Sequence, residues 1–309
     1  MELNANHIFS KQLLCMMKNL NKFNNTGSSK DVSSQFFVAG QKVGILTPKV
    51  VEELQRYPHV FEISLNPNIS PQKTVQMSDK YASYDERTKV MSKVIEDMAQ
   101  RDAHIALRGW RNELYEVASG PTIPSLLKME RAAVGIFGVR TYGSHMNGFV
   151  NHPEKGMCLW IARRSNSKAT FPGMLDNMVA GGISSGVGIY ETMVKECQEE
   201  AGIPPELAKK VVPVGAISYI YEDERGIQPD VQYCFDLEVP FDFVPTVVDR
   251  EVQSFSLHTI DELKKLIVKD EFKPNCAAVT LHFLIRKGAI LPEQVPDYLE
   301  LIRLLHVQF

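Results

Sequence analysis

The segment GGISSGVGIYETMVKECQEEAGI, residues 181–203, places three glutamates, Glu196, Glu199 and Glu200, within five positions, between a glycine-rich approach and a glycine exit. On a helix turning 100° per residue, Met193, Val194, Cys197 and Ala201 share one arc, and the three glutamates occupy the arc beside it. Like charges three and four positions apart destabilise a helix by about 0.2–0.5 kcal/mol per pair, and by more where the face is half buried. The arrangement therefore invites a counter-charge. A hard divalent cation, Mg²⁺ or Mn²⁺, takes carboxylate oxygens and shares its remaining sites with water and substrate phosphates. A solvated surface helix is the plain alternative. Against it, Gly181, Gly182, Gly186 and Gly188 let a backbone approach a ligand closely, and Gly202 followed by Ile203, Pro204 and Pro205 stops a helix.

The 309 residues allow two cores, and 44 % hydrophobic with 23 % charged residues is the balance of a soluble globular chain. A net charge of −3 offers no basic field to nucleic acid, and no apolar run approaches the ~18 residues of a membrane span. Up to Lys30 there are four lysines against one acid but no arginine, so a mitochondrial presequence is a minor alternative to a cytoplasmic location. Cys15, Cys158, Cys197, Cys234 and Cys276 are odd in number and lack C-x-x-C spacing. They indicate neither a disulfide framework nor a zinc site, and a reducing compartment is expected.

Along the chain, a helical pattern from His7 to Leu20 precedes NKFNNTGSS, which has the composition of a flexible connection, so a loosely attached first helix is expected. FFVAGQKVGIL, TPKVVEELQRY and VFEISLN read as β-α-β, and SYDERTKVMSKVIEDMAQ opens with Ser83 and Glu86 in capping-box spacing. Gly and Pro cluster in SGPTIPS, which sets the expected division at 1–125 and 126–309. Beyond it, five strand-like runs surround the acidic helix, which predicts a mixed sheet with helices on its faces.

Residues 181–203 resemble the box of the Nudix hydrolases, G-x5-E-x7-R-E-U-x-E-E-x-G-U, where U is aliphatic. Gly181 takes the first glycine, Glu196 the glutamate of R-E, Glu199 and Glu200 the E-E pair, Gly202 the last glycine and Ile203 the final aliphatic. Three positions depart: Val187 replaces the first glutamate, Lys195 the arginine and Cys197 an aliphatic residue. Cys197 is a trivial change, since free Cys packs as a small hydrophobe. Lys195 keeps the charge without the bidentate fork, and Glu191 stands four residues before it in the favourable order. Val187 removes a carboxylate from the loop, and favours fewer metals, weaker activity or a module that only binds.

The resemblance implies an α/β/α sandwich with a mixed sheet, preceded here by a smaller α/β domain, and a metal held by Glu196, Glu199 and Glu200. HMNGFV, LWIARRSNSKATFPGMLDNMVAGG and FKPNCAAVTLHFLIRKGAI further resemble the branch containing the Nudix half of fungal thiamine pyrophosphokinase. That branch implies thiamine diphosphate, particularly its oxo and oxy forms, cleaved to the monophosphate. The alternative substrate class is a nucleoside diphosphate such as ADP-ribose. Isopentenyl-diphosphate isomerase has a related fold, but the cysteines here are too dispersed for it.

Arg163, Arg164 and Lys168 follow the strand GMCLWIA and are candidates to neutralise the diphosphate, with Gly181 and Gly182 approaching it by backbone. A basic surface turn is the simpler account of them. Asp176 and Asn177 lie just before the loop, positioned either to orient a ring or to bond locally. Tyr221, Tyr233 and Trp160 suit stacking or a core, and His145 and His152 lack ligand spacing. Glu251, ahead of the strand QSFSLHT, is a further ligand or the general base. Glu200 is the other candidate for that base, and spacing does not choose between them.

Overall fold

The computed structural model describes residues 2–65, 73–120, 123–183 and 186–309. Helix α1 (Glu2–Leu20) opens the chain. Strands β1 (Ser34–Val38) and β2 (Gln41–Leu46) form an antiparallel hairpin across Ala39 and Gly40, both at positive φ. One expected strand is thus two, because Gly40 alone, beside an alanine that seldom takes the left-handed region, is a weak turn signal inside an apolar run. Next come α2 (Pro48–Leu54), β3 (Phe61–Leu65), β4 (Lys73–Met77) and α3 (Tyr84–Gln100). The expected capping box is present: Ser83 Oγ accepts from the Glu86 N–H, and Glu86 accepts from the Ser83 N–H. The four strands order as β2-β1-β4-β3, with β1 and β4 parallel.

Strands β5 (Leu114–Val117) and β6 (Leu127–Glu130) pair antiparallel, so the expected division at 125/126 falls inside a hairpin. Leu127 and Met129 are wholly buried, in one core with Phe36, Phe61, Val75, Met91 and Ile95 that runs on to Val139. The Gly/Pro cluster marks the hairpin's loop, of which residues 121–122 lie outside the described residues. Apolar continuity, not loop composition, divides this chain.

The second layered unit contains β7 (Thr141–His152), β8 (Gly156–Arg164), β9 (Leu175–Asn177), β10 (Val179–Gly182), α4 (Ile189–Ala201), α5 (Pro205–Ala208), β11 (Val212–Asp223), β12 (Gly226–Glu238), β13 (Val252–Thr259), α6 (Ile260–Leu266), α7 (Pro274–Arg286) and α8 (Tyr298–Leu305). Its sheet runs β11-β12-β7-β8-β13, with β10 also on β7 and β9 also on β8, and only the β12–β7 pairing is parallel. Helix α4 buries Met193, Cys197 and Ala201 against one face beside Met146, Met178 and Phe235. Helices α1, α7 and α8 cover the other face, completing the expected α/β/α sandwich. No described helix is long and apolar enough to cross a membrane.

The first helix is not loosely attached. Leu13 and Met17 are wholly buried among Leu281, Leu284, Leu301 and Leu305. Asn21 clamps its end, donating to the Leu304 carbonyl at 2.9 Å and accepting from the Ile220 N–H at 3.1 Å. A fragment starting at residue 126 is therefore expected to lose cooperative folding, since losing each buried Leu or Met costs about 2–5 kcal/mol. Chemical denaturation followed by circular dichroism checks this; a sharp transition with the full-length slope would show that α1 is dispensable.

Candidate active site

Strand β10 and helix α4 together set the carboxylates. The Ala180 N–H donates to Glu200 Oε2 at 2.9 Å, and a Cβ on Gly181 would stand 2.6 Å from the Glu196 side chain. Glycine at 181 is thus what lets Glu196, one turn before Glu200, lie flat against the strand. Glu199 points away, half exposed, and pairs with Lys195 at 3.2 Å. Lys195 therefore meets the glutamate following it, while Glu191 caps the helix start by accepting from the Gly188 N–H. At the far end Gly202 has φ +62, and the Ile203 N–H returns to the Cys197 carbonyl at 3.0 Å.

The chain then comes back over the helix. The Thr246 N–H donates to the Ala201 carbonyl, and the segment beyond it carries Asp249 and Glu251 to the buried Glu200. One oxygen from each of these three carboxylates lies within 4.8 Å of the others. The Ser165 N–H holds the Glu251 carbonyl, and the Glu251 N–H donates to Asp249 Oδ1, both at 2.8 Å. Burial pushes the Glu196 carboxyl up and the Glu200 carboxyl well above the usual carboxylate range, and neighbouring acids push further. Three oxygen donors, one of them on a carboxylate that resists ionising alone, are a donor set suited to a hard divalent cation.

Glu251 lies with Glu200, whereas Glu196 and Glu199, the other two expected ligands, lie outside this trio. Asp249 went unread, although it stands two residues from Glu251 in the same stretch. Val187, in the place of the first box glutamate, is exposed on the loop, of which residues 184–185 lie outside the described residues.

The basic candidates separate. Lys168 reaches Glu251 Oε2 at 2.5 Å, at the rim of the acidic cluster. Arg163 donates to the Gly173 carbonyl and stands 3.8 Å from Glu271. Arg164 does not face a ligand: its guanidinium binds Asp176 at 2.7 Å and the Thr170 and Phe171 carbonyls, with only 13 % of the side chain exposed. Its expected role as a phosphate ligand is therefore corrected. A buried side chain whose three nitrogens each bond within the protein is a brace.

Asp176 and Asn177 are likewise interior. Asp176 accepts from the Cys276 thiol and pairs with Lys273 as well as Arg164, while Asn177 bonds His145 and Thr280. Burial pushes Cys276 up and His145 down to about 4. His145, Asp176 and Cys276 converge closely enough to hold a metal. Two cations already neutralise Asp176, however, so this network reads as the fastening of α7 to β9. Tyr221 stacks on Tyr219 and Tyr233 on Tyr142, and Trp160 packs beside α4, all as parts of the sandwich.

Residues 143–278 match the NUDIX domain family, and residues 15–141 match a domain of unknown function, DUF4743. Over 295 residues the chain is 36 % identical to Nudix hydrolase 20, chloroplastic, of Arabidopsis thaliana, covering 94 % of this chain and 78 % of that protein. This chain belongs to the Nudix hydrolase family. It is 42 % identical over 220 residues to Nudix hydrolase 24, chloroplastic, also of Arabidopsis thaliana, covering 71 % of this chain and 59 % of that one. Among solved structures it is similar to the NUDIX domain of Shewanella oneidensis NrtR, at 13 % identity and a TM-score of 0.39, over 50 % of this chain and 91 % of that chain. As a Nudix hydrolase it acts on diphosphate bonds, and its family generally uses divalent metals.

Proposed function

We propose that this Nudix hydrolase cleaves oxidised thiamine diphosphate to the monophosphate and phosphate, with Mg²⁺ or Mn²⁺ held by Glu196, Glu200 and Asp249 and with Glu251 beside them. The convergence of Glu200, Asp249 and Glu251 beside Glu196 carries the hydrolytic reading. The substrate rests on the resemblance of residues 145–150, 159–182 and 272–290 to the thiamine-directed branch. When bound, the cation would polarise a phosphoryl oxygen and offset charge at the scissile bond. Glu200, fixed by the Ala180 N–H and buried, suits a ligand. Glu251 is exposed beside Lys168 and suits the base that takes the proton of the attacking water. Lys168 would offset charge on the leaving phosphate.

Selectivity must come from outside the box, because its carboxylates meet only the metal and phosphates. A thiazolium gains about 0.5–2 kcal/mol from an aromatic face, which the neutral oxo ring forgoes, so preference for the oxo form requires hydrogen bonds to the added oxygen. Phosphate release should be measured with and without Mg²⁺ on thiamine diphosphate, its oxo and oxy forms and ADP-ribose. The expected order in kcat/KM places the oxidised forms first and ADP-ribose last. Equal or faster ADP-ribose cleavage would replace the substrate and leave the hydrolysis standing.

A further inference from the structure

Arg164 and Arg163 bind their own strand's surroundings, so the question is which guanidinium meets the substrate's phosphates. The hairpin before the Nudix fold offers one. Arg131, which directly follows β6, lies over the Tyr115 ring at 5.4 Å, and its Nη1 donates to Glu113 at 2.8 Å. Its other terminal nitrogen, Nη2, stands 3.9 Å from the point a Cβ would occupy on Gly182, and the Tyr115 hydroxyl stands 2.5 Å from that point. Gly182 ends the strand whose Gly181 backs Glu196 and whose Ala180 holds Glu200. The hairpin is therefore packed against the strand end from which the box loop departs.

We infer that Arg131, set in place by Tyr115 and Glu113, binds the diphosphate of the substrate at the Gly182 edge of the site. Arg131 also lies within electrostatic reach of the Glu251 carboxylate, a weaker influence on it than Tyr115 and Glu113. The side chain is 41 % exposed, so a phosphate can reach it from solvent. The geometry also gives the residues before the Nudix fold a task in substrate recognition. A guanidinium held by a ring and a carboxylate has lost most of its rotamer freedom beforehand, so little more is lost when a phosphate arrives. This inference rests on the diphosphate-hydrolase reading but concerns binding, and binding can be measured without turnover.

The test uses the full-length protein and methylene diphosphonate, a diphosphate that cannot be hydrolysed, titrated calorimetrically with Mg²⁺ present. Losing one charge-assisted contact should weaken binding of this probe about 10- to 100-fold in Arg131→Gln, while Arg131→Lys keeps part of it. Arg163→Gln should bind as wild type does. On the hydrolysed substrate, Arg131→Gln should raise KM by a similar factor with kcat little changed. Melting temperatures of all three variants separate lost binding from lost folding, and partial rescue by lysine is not expected of a merely structural guanidinium. Wild-type affinity in a folded Arg131→Gln protein, or no binding of the probe by wild type, would overturn the inference. Binding lost in Arg131→Gln, in a protein that cleaves no diphosphate, would sustain it and overturn the hydrolytic reading instead.

Discussion

Glu200→Gln should lower kcat by at least about 10²-fold while leaving the metal-free protein as stable as wild type or more so. Glutamine keeps an oxygen for the Ala180 N–H and removes the charge that burial disfavours. The pH dependence has a definite sign. Because the folded-state pKa of Glu200 lies above its unfolded value, the folded form holds the proton more tightly. Stability from this group is full below the unfolded pKa, ~4.3, and is lost as pH rises through the folded pKa. In EDTA, wild type should therefore melt at a lower temperature at pH 8 than at pH 5, and the variant should show less of that decline. Mg²⁺ should restore wild type at pH 8 and help the variant less. A variant with undiminished turnover would remove Glu200 from the site.

Asp176→Asn carries the second large effect, on stability. It leaves Lys273 and Arg164 without their shared carboxylate in the interior, a loss of about 3–5 kcal/mol. The midpoint should fall by on the order of 10 °C. Burial alone would raise the Asp176 pKa, but Lys273, His145 and Arg164 outweigh it and hold the carboxyl well below the usual range. A depressed pKa contributes stability above the unfolded value, ~3.9, and loses it as pH falls through the folded value. The gap between wild type and variant should thus be full at neutral pH and close only in strong acid. Arg164→Gln should likewise lower the melting temperature with KM little changed, whereas a raised KM at unchanged stability would return Arg164 to the substrate.

The box was legible because one helix encodes its own faces: charge spacing, buried arc and glycine stop all lie within 23 consecutive residues. Glu251 was legible as an acid ahead of a returning strand, but choosing between it and Asp249 needs the path of the segment after Thr246. Arg164 was misread because its partner lies twelve residues on, inside the protein, where sequence shows only a polar turn. The 39–40 turn was hidden by an alanine, and the 125/126 division by loop composition that a hairpin also produces. The place of α1 was unreadable for a different reason. Its apolar face was visible, yet its partners are the last helices of the chain.

That last pairing bears on how the molecule is made. The bond from Asn21 to Leu304 spans 283 positions, so at roughly 5–20 residues per second its acceptor is synthesised roughly 15–60 s after its donor. Throughout that interval Leu13 and Met17 lack the surface that will cover them. The buried members of the earlier core end at Val139, so all of them are synthesised before the sandwich that follows. The nascent chain thus carries an exposed greasy helix, a natural target for chaperones on the ribosome, until the residues of α7 and α8 emerge to hide it.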